Sequence, residues 1–278
     1  MGGTGELEGK VAIVTGCGRE RGIGRACALA LAAEGAALVV SDLCRELEPD
    51  LRLHGVGTRE GLESAAAEIR ARGGRARAVA CDVTLKAEVD ALIGEALSGF
   101  GGVDILVNNA GCAVGVGPLA MIREAAWDKT MAVNVKGPFL CTQAAAPHMI
   151  ARGGGKVIMM ASQAGIRAGA RYGAYGASKH ALIGLTQVLG AELAPHNIQV
   201  NALCPGLVDT DLGFEQYAFL AGMEGLSVDA LRGELVKKIP AGRFETPEDV
   251  ARVCLFLASP RSDYVVGEAI SVAGGYSR

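Results

Sequence analysis

The sequence has few aromatic residues and no long hydrophobic run. Only 4% of its 278 residues are aromatic, with one tryptophan, although 50% are hydrophobic and 40 are glycine. This composition favours closely packed helices on a sheet over an aromatic-rich β-sandwich. No apolar stretch reaches the roughly 20 residues that a membrane-spanning helix requires, so we expect no membrane partner.

An excess of one charge is also absent. The chain has 27 Lys and Arg residues against 30 Asp and Glu residues, a formal net charge of -3, and no basic block. These features argue against nucleic acid as a partner. Segment 1–6 lacks the apolar core of a signal peptide, and Glu6 stands where a myristoylation signal needs Ser or Thr.

The cysteines do not form a recognisable metal or disulfide pattern. None of the eight belongs to a Cys-x-x-Cys motif or pairs with a nearby histidine at metal-ligand spacing. Most lie in apolar runs, where a free cysteine behaves as a small hydrophobic residue. The sequence therefore predicts a cytoplasmic protein with free thiols and no metal site.

Short β-branched runs alternate with helical patterns along the whole chain. The alternation predicts an α/β fold, a doubly wound parallel sheet in a single domain that spans 1–278. The predicted strands are 10–15, 37–41, 76–81, 103–107, 156–161, 197–203 and 268–272. The predicted helices are 25–34, 59–72, 86–97, 127–151, a segment through 175–189, and 247–258.

Two segments lack this periodicity. Segment 43–58 contains Pro49, Gly55 and Gly57 among mixed charges and is interpreted as an inserted loop, either on the surface or as a flap over a nucleotide. Segment 211–240 is apolar and is predicted to be irregular, lying over the site as a substrate lid.

A glycine cluster lies between the first strand and the first helix. Glycines in this position let the backbone approach a pyrophosphate, and the helix N-terminus adds free N–H groups and a positive dipole. Asp42 ends the second strand, where an acid can bind ribose hydroxyls and repel a 2′-phosphate. These features favour NAD over NADP, although Arg19, Arg21 and Arg45 are nearby cations that could hold a 2′-phosphate.

Tyr175 and Lys179 are four residues apart in a predicted helix and therefore share a face. A phenol has a pKa near 10, and a fixed ammonium one helical turn away lowers that pKa. The pair could pass a proton to or from an alcohol or ketone oxygen. Tyr172 has Gly176 rather than a lysine four residues later, so we interpret it as a pocket-lining or packing residue.

From Lys10 to about Gly275 the chain resembles the short-chain dehydrogenase/reductase family. The resemblance rests on an ordered set of motifs, with the family's usual step of thirteen residues between Ser162 and Tyr175. The motifs are Thr15-Gly16…Gly22-Ile23-Gly24, Asp82-Val83, Asn108-Asn109-Ala110-Gly111, Asn134, Ser162, Tyr175-x-x-x-Lys179 and Pro205-Gly206. Membership would imply a Rossmann-type domain that transfers hydride between a nicotinamide and a carbon bearing oxygen, and a homotetramer.

The resemblance also implies catalytic roles. Tyr175 would be the acid/base, Lys179 would lower its pKa and hold the nicotinamide ribose, and Ser162 would hydrogen-bond the substrate oxygen. Asn134 would hold a water that relays protons past Lys179. As isolated residues, Ser162 could instead be a strand-end cap and Asn134 a polar residue that bends a helix.

The family pattern further implies a set of cofactor contacts. Thr15, Gly16, Gly22, Ile23 and Gly24 would line the pyrophosphate, and Asp82 and Val83 would face the adenine. Asn109 and Gly111 would contact the adenosine side, and Pro205, Gly206, Val208 and Thr210 the nicotinamide side. Thr210 would face the carboxamide, although the isolated residue could be a turn residue. The glycine loop departs from the family, with five residues, 17–21, in place of the usual three, so we expect it to bulge outward.

The motifs predict an NAD-dependent enzyme that interconverts a hydrophobic secondary alcohol and its ketone. Val114, Val116, Gln163, Ile166 and the aromatics of 211–240 suggest an uncharged substrate. Two alternatives remain: an NADPH-dependent 3-ketoacyl-type reductase, and a non-catalytic nucleotide-sensing protein on the same fold.

Overall fold

A computed structural model describes residues 5–46, 55–114, 116–167 and 169–276. Its seven strands form one parallel sheet in the order β3-β2-β1-β4-β5-β6-β7. The strands are β1 (Val11–Thr15), β2 (Ala37–Asp42), β3 (Ala76–Ala80), β4 (Ile105–Asn108), β5 (Gly155–Met160), β6 (Ile198–Pro205) and β7 (Ala269–Val272). The predicted doubly wound parallel sheet is confirmed.

Ten α-helices occur within the described residues. They are α1 (Ile23–Ala33), α2 (Arg59–Ala71), α3 (Lys86–Phe100), α4 (Glu124–Met131), α5 (Gly137–Ala151), α6 (Gln163–Ile166), α7 (Gly173–Leu193), α8 (Asp211–Glu224), α9 (Val228–Val236) and α10 (Pro247–Ala258). Across the described ranges, no helix is both long and apolar enough to cross a membrane.

Helices cover both faces of the sheet. One buried cluster joins residues of α1, α2 and α10 to Ala12 and Val14 of β1, and a second joins α3, α5 and α7 to Val11 and Ile13. Successive strand residues point to opposite faces, so a strand buried on both sides must be apolar throughout. This constraint explains the continuous apolar runs of the sequence.

The direction of strand order reverses at β1, which pairs with β2 on one side and β4 on the other. The connections after β1 and β4 therefore diverge and leave a crevice at the carboxyl edge of the sheet. Open α/β sheets bind their ligands in such a crevice.

The prediction that 212–240 is irregular is wrong. The segment contains α8 and α9, and the Thr210 and Ser227 side chains cap them by accepting hydrogen bonds from Gly213 N–H and Ala230 N–H. The apolar residues of α8 do not follow one helical face, because some line the crevice and others pack into a small cluster around Leu231. An amphipathic pattern was therefore absent.

The predicted helix 127–151 also differs from the structure. It consists of α4, a π-helical turn (Ala132–Lys136) and α5. The turn contains Asn134, which is almost completely buried. Local π-helical turns of this kind frequently occur at functional sites.

The ends of β1 and β4 are joined by a threonine hydroxyl. Thr15 Oγ1 accepts hydrogen bonds from the backbone N–H groups of Asn109, at 3.1 Å, and Ala110, at 3.0 Å. The Asn109 side-chain amide in turn donates hydrogen bonds to the carbonyl oxygens of Thr15 and Gly16. This double link fixes the crevice where the two loops separate.

We expect Thr15→Val to lower the free energy of unfolding by about 1 kcal/mol, because the half-buried Ala110 N–H loses its acceptor and the Asn109 N–H keeps only Val107 O. Urea denaturation measures the change. Thr15→Ser retains the hydroxyl and serves as the control, with a smaller loss. Equal stability of the valine variant and the parent would show that the hydroxyl does not hold the two strands.

Candidate active site

One pocket at the carboxyl edge collects nearly all the predicted site residues. Gly24 and Asn134 are the exceptions and lie behind its wall. The predicted residues that line the pocket are Thr15, Gly16, Gly22, Ile23, Asp42, Asp82, Val83, Asn109, Gly111, Ser162, Tyr175, Lys179, Pro205, Gly206, Val208 and Thr210.

Gly24 lets α1 approach the glycine loop closely. A Cβ at this position would overlap the Gly16 carbonyl oxygen and come within 2.5 Å of Asn109 Nδ2. Gly22 begins the helix without a side-chain cap, so the N–H groups of the first turn face the loop. Such N–H groups and the helix dipole suit a pyrophosphate.

Lys179 is a buried cation beside Tyr175. Its side chain is 4% exposed, its Nζ donates to Met160 O at 2.6 Å, and Nζ lies 5.5 Å from the centroid of the Tyr175 ring. Burial lowers the pKa of Lys179 to about 8. The ammonium therefore remains largely protonated at pH 7, one helical turn from the phenol.

Asn134 supports the loop beneath this pair. Its Oδ1 accepts from Cys112 N–H at 2.8 Å, and its Nδ2 donates to Cys112 O at 2.8 Å and to Ser178 Oγ at 2.9 Å. Gly111 lies between Asn134 and Lys179, since a Cβ added at Gly111 would be 3.3 Å from Asn134 Oδ1 and 3.7 Å from Lys179 Nζ. The structure thus brings Asn134 close to Lys179, whereas its proposed role in holding a water stays a prediction.

Ser162 and Thr210 both act as helix caps as well as lining the pocket. Ser162 Oγ accepts from Ala164 N–H at 3.1 Å, and Thr210 Oγ1 accepts from Gly213 N–H at 2.9 Å. The capping interaction uses a hydroxyl lone pair and leaves the hydroxyl hydrogen as a donor. Local capping and ligand binding are therefore compatible at both residues.

Asp42 is held at the far end of the pocket by backbone donors. Its Oδ2 accepts from Gly18 N–H at 2.7 Å and its Oδ1 accepts from Leu43 N–H at 2.8 Å. These bonds orient the carboxylate at the end of β2. They also show that Gly18, in the glycine loop, supports Asp42.

The three arginines that could have bound a 2′-phosphate have carboxylate partners. Arg19 pairs with Glu215 of α8 at 3.2 Å, and Arg21 pairs with Asp211 at the start of the same helix at 2.9 Å. Arg45 pairs with Glu88 at 2.5 Å. The two arginines of the longer glycine loop, Arg19 and Arg21, thus form their ion pairs with carboxylates of α8.

The end of the inserted loop lies against the glycine loop. Residues 47–54 are outside the described residues, but Gly55, Val56 and Gly57 line the pocket. Arg19 donates to Gly55 O, and a Cβ on Gly57 would come within 2.5 Å of Asp42 Oδ2. The described part of the insertion is therefore next to Asp42.

The pocket is also lined by residues that the sequence did not identify individually. They carry no motif of their own: Cys112 and Leu207 directly follow recognised motifs, and the others lie between motifs or in segment 211–240. These residues include Cys112, Lys129, Met160, Leu207, Leu212, Gly213 and Gln216, whereas Tyr172 and Tyr217, an aromatic residue of segment 211–240, line the pocket as predicted.

The four individually predicted substrate contacts are not among the lining residues. Gln163 instead donates its side-chain amide to Ser271 Oγ, and Ile166 is 40% exposed. Val114 and Val116 are also absent from the described residues that line the pocket. For Gln163 and Ile166, proximity in sequence to Ser162 was a poor guide, because α6 directs these side chains to Ser271 and to the surface.

Comparisons with known proteins agree with these motifs. A family model described as enoyl-(acyl carrier protein) reductase matches residues 16–277. A galactitol 2-dehydrogenase of Agrobacterium fabrum is 39% identical and a sorbitol dehydrogenase of Cereibacter sphaeroides 40% identical, each over 270 residues that cover 97% of this chain and 98% of the relative. The solved structure of a levodione reductase, 29% identical, superposes with a TM-score of 0.87 and covers 97% of this chain and 98% of that one.

The matches span almost the full length of the chain and of each of these proteins. The same region carries the glycine loop, the Tyr175–Lys179 pair and the doubly wound sheet. The chain therefore belongs to the short-chain dehydrogenase/reductase family and is an NAD(P)-dependent oxidoreductase of that family rather than a non-catalytic nucleotide sensor.

Proposed function

We propose that the protein is an NAD-dependent oxidoreductase that interconverts a hydrophobic secondary alcohol and its ketone. The observation that carries this proposal is that Tyr175, Lys179 and Ser162 line the same pocket as Asp42. Tyr175 and Ser162 can bind an alcohol oxygen there, and Asp42 can bind ribose hydroxyls.

The proton chemistry follows from the residues around Tyr175. Oxidation of an alcohol removes a proton from oxygen and a hydride from carbon, and NAD, when bound, accepts the hydride. Tyr175 takes the proton, because the Lys179 ammonium favours its phenolate. Ser162 donates a hydrogen bond to the same substrate oxygen, and Asn134 keeps the loop at Cys112 fixed beside Lys179.

The electrostatics of the adenosine end support NAD as the cofactor. Asp42 places a carboxylate where a 2′-phosphate would lie, and like charges repel. Arg19, Arg21 and Arg45 are engaged by Glu215, Asp211 and Glu88, so they do not offset this carboxylate.

The other end of the pocket supports an apolar substrate. Leu207, Leu212, Tyr172 and Tyr217 line it, with Gln216 as an uncharged polar residue. Helix α8, which contributes Leu212, Gly213, Gln216 and Tyr217 to the lining, forms the lid, and α9 packs against α8. The family resemblance further supports a homotetramer, and the scattered free cysteines support a cytoplasmic location.

A polyol is the second candidate substrate, since two relatives are named for galactitol and sorbitol. A panel of cyclic secondary alcohols, galactitol and sorbitol distinguishes the two candidates. Oxidation of each is followed by the absorbance of the reduced cofactor, with NAD and NADP tested in parallel. We expect kcat/KM for the best cyclic alcohol to exceed that for either polyol by at least about tenfold, because an apolar wall leaves polyol hydroxyls without partners. Preference for a polyol would overturn the substrate class, and NADPH-dependent reduction of a keto-thioester would favour a 3-ketoacyl-type reductase.

Tyr175→Phe removes the phenolic oxygen and keeps the ring. We expect kcat to fall by about 10²–10⁴-fold, the contribution typical of a positioned acid/base, while NADH binding measured by fluorescence is retained. Tyr172→Phe is the matched control, since its ring lies 6.2 Å from that of Tyr175 but has no lysine four residues later. An equal loss in both variants would contradict the assignment of the proton transfer to Tyr175.

Asp42→Asn removes the negative charge with little change in shape. We expect the ratio of kcat/KM with NAD to that with NADP to fall by about tenfold or more, because a 2′-phosphate is no longer repelled. Glu46→Gln is the control, since Glu46 is exposed on the loop that follows Asp42. An unchanged ratio in Asp42→Asn would refute the role of Asp42 in cofactor choice.

A further inference from the structure

A glutamate that no motif predicted lies behind the wall of the pocket. Glu245 is 8% exposed, between the turn at Gly242 and the start of α10. Its Oε2 accepts from Gly206 N–H at 2.8 Å, whereas no described residue donates to its buried Oε1. A buried carboxylate with a single hydrogen bond is energetically costly, so its presence needs a reason.

The backbone of Glu245 is joined to the same wall. Its N–H donates to Leu207 O at 3.0 Å, and its carbonyl oxygen accepts from Asp209 N–H at 2.8 Å. Val208 and Glu245 consequently form an isolated parallel bridge. Glu245 thus bonds to the wall at Gly206 through its side chain, and at Leu207 and Asp209 through its backbone.

This wall is the part of the pocket that connects β6 to the lid. Gly206, Leu207 and Val208 line the pocket, and Thr210 caps α8. Gly206 has no room for a side chain, because a Cβ on it would lie 2.9 Å from Ala273 Cβ. Its N–H also donates to Val272 O at 3.0 Å, so Glu245 and β7 share this one donor.

No cation among the described residues forms an ion pair with Glu245. The pKa of Glu245 is raised to about 7, chiefly by burial and also by nearby Asp249, while the Gly206 hydrogen bond and Arg243 oppose the shift. Arg243 itself pairs with Asp249 at 2.6 Å. On the other side of the bridge, Asp209 pairs with Arg232 at 3.1 Å.

We propose that Glu245 is a positioning residue for the active site, whose carboxylate fixes the Gly206 peptide and with it the pocket wall from Gly206 to Thr210. An ionised carboxylate accepts a stronger hydrogen bond than a neutral carboxyl group. The wall is therefore held more firmly when Glu245 is ionised, and its hold on a bound nicotinamide cofactor changes with pH. This inference rests on the proposed site but not on the choice between NAD and NADP.

The first test measures cofactor affinity at pH 6, 7 and 8 by fluorescence titration, with whichever of NADH and NADPH the parent protein binds more tightly. We expect affinity in the parent to rise about fivefold from pH 6 to pH 8 relative to Glu245→Gln, the difference between a charged and a neutral acceptor. Lys179 also titrates in this site, but it is common to both proteins and cancels in the comparison.

The matched control is Glu248→Gln. Glu248 is exposed in the first turn of α10, three residues from Glu245, and should follow the parent at every pH. If Glu245→Gln shows the same pH dependence of affinity as the parent, the positioning role is refuted.

The second test needs no cofactor. The folded protein binds a proton at Glu245 more tightly than the unfolded chain does, because its folded pKa is raised from 4.5 to about 7. This contribution to stability is complete below the unfolded pKa and is lost as pH rises through about 7. The thermal midpoint of the parent should therefore fall between pH 6 and pH 8 relative to that of Glu245→Gln.

The two measurements separate the possible failures. A parallel pH dependence of the thermal midpoint in both proteins would show that Glu245 does not titrate there, which overturns the proposal. A midpoint difference without an affinity difference would make Glu245 purely structural, which also overturns it. Tighter binding of NADPH than of NADH would contradict the proposed cofactor preference and leave the test of Glu245 intact.

Discussion

The burial of one ammonium group constrains the arrangement of the whole active site. Lys179 is almost completely enclosed, and the loss of water that lowers its pKa has to be offset by protein groups. Met160 at the end of β5 supplies a carbonyl acceptor, and the Tyr175 ring lies alongside. The end of β5, α7 and the loop at Gly111 must therefore converge, and this convergence places the phenol at the edge where the sheet opens.

At the adenosine end of the pocket the fixed charge is negative rather than positive, and protein groups stabilise it there too. Asp42 is stabilised by two backbone N–H groups rather than by a cation, so its negative charge remains available to a ligand. The extra residues of the glycine loop could have neutralised it, but Arg19 and Arg21 are directed to α8. One departure from the family pattern thus joins the glycine loop to α8 without altering the charge beside Asp42.

The sequence could predict the residues whose roles depend on local geometry. A tyrosine and a lysine one helical turn apart, glycines between a strand and a helix, and an acid at a strand end keep their relations in any such fold. It could not predict α8, because the apolar residues of that helix divide between the pocket and a separate cluster. Nor could it predict Glu245, whose burial depends on a bridge to Val208, 37 positions earlier in the chain.

Glu245 and Lys179 give the pocket two buried titratable groups of opposite charge. The pKa of the first is raised to about 7 and that of the second is lowered to about 8, in both cases chiefly because burial disfavours the charged form. A rise in pH therefore ionises Glu245 and removes the charge of Lys179, so the acceptor at Gly206 and the ammonium beside Tyr175 respond to pH in opposite directions. Burial of these two groups thus couples the proposed proton transfer and the proposed positioning of the wall to pH with opposite signs.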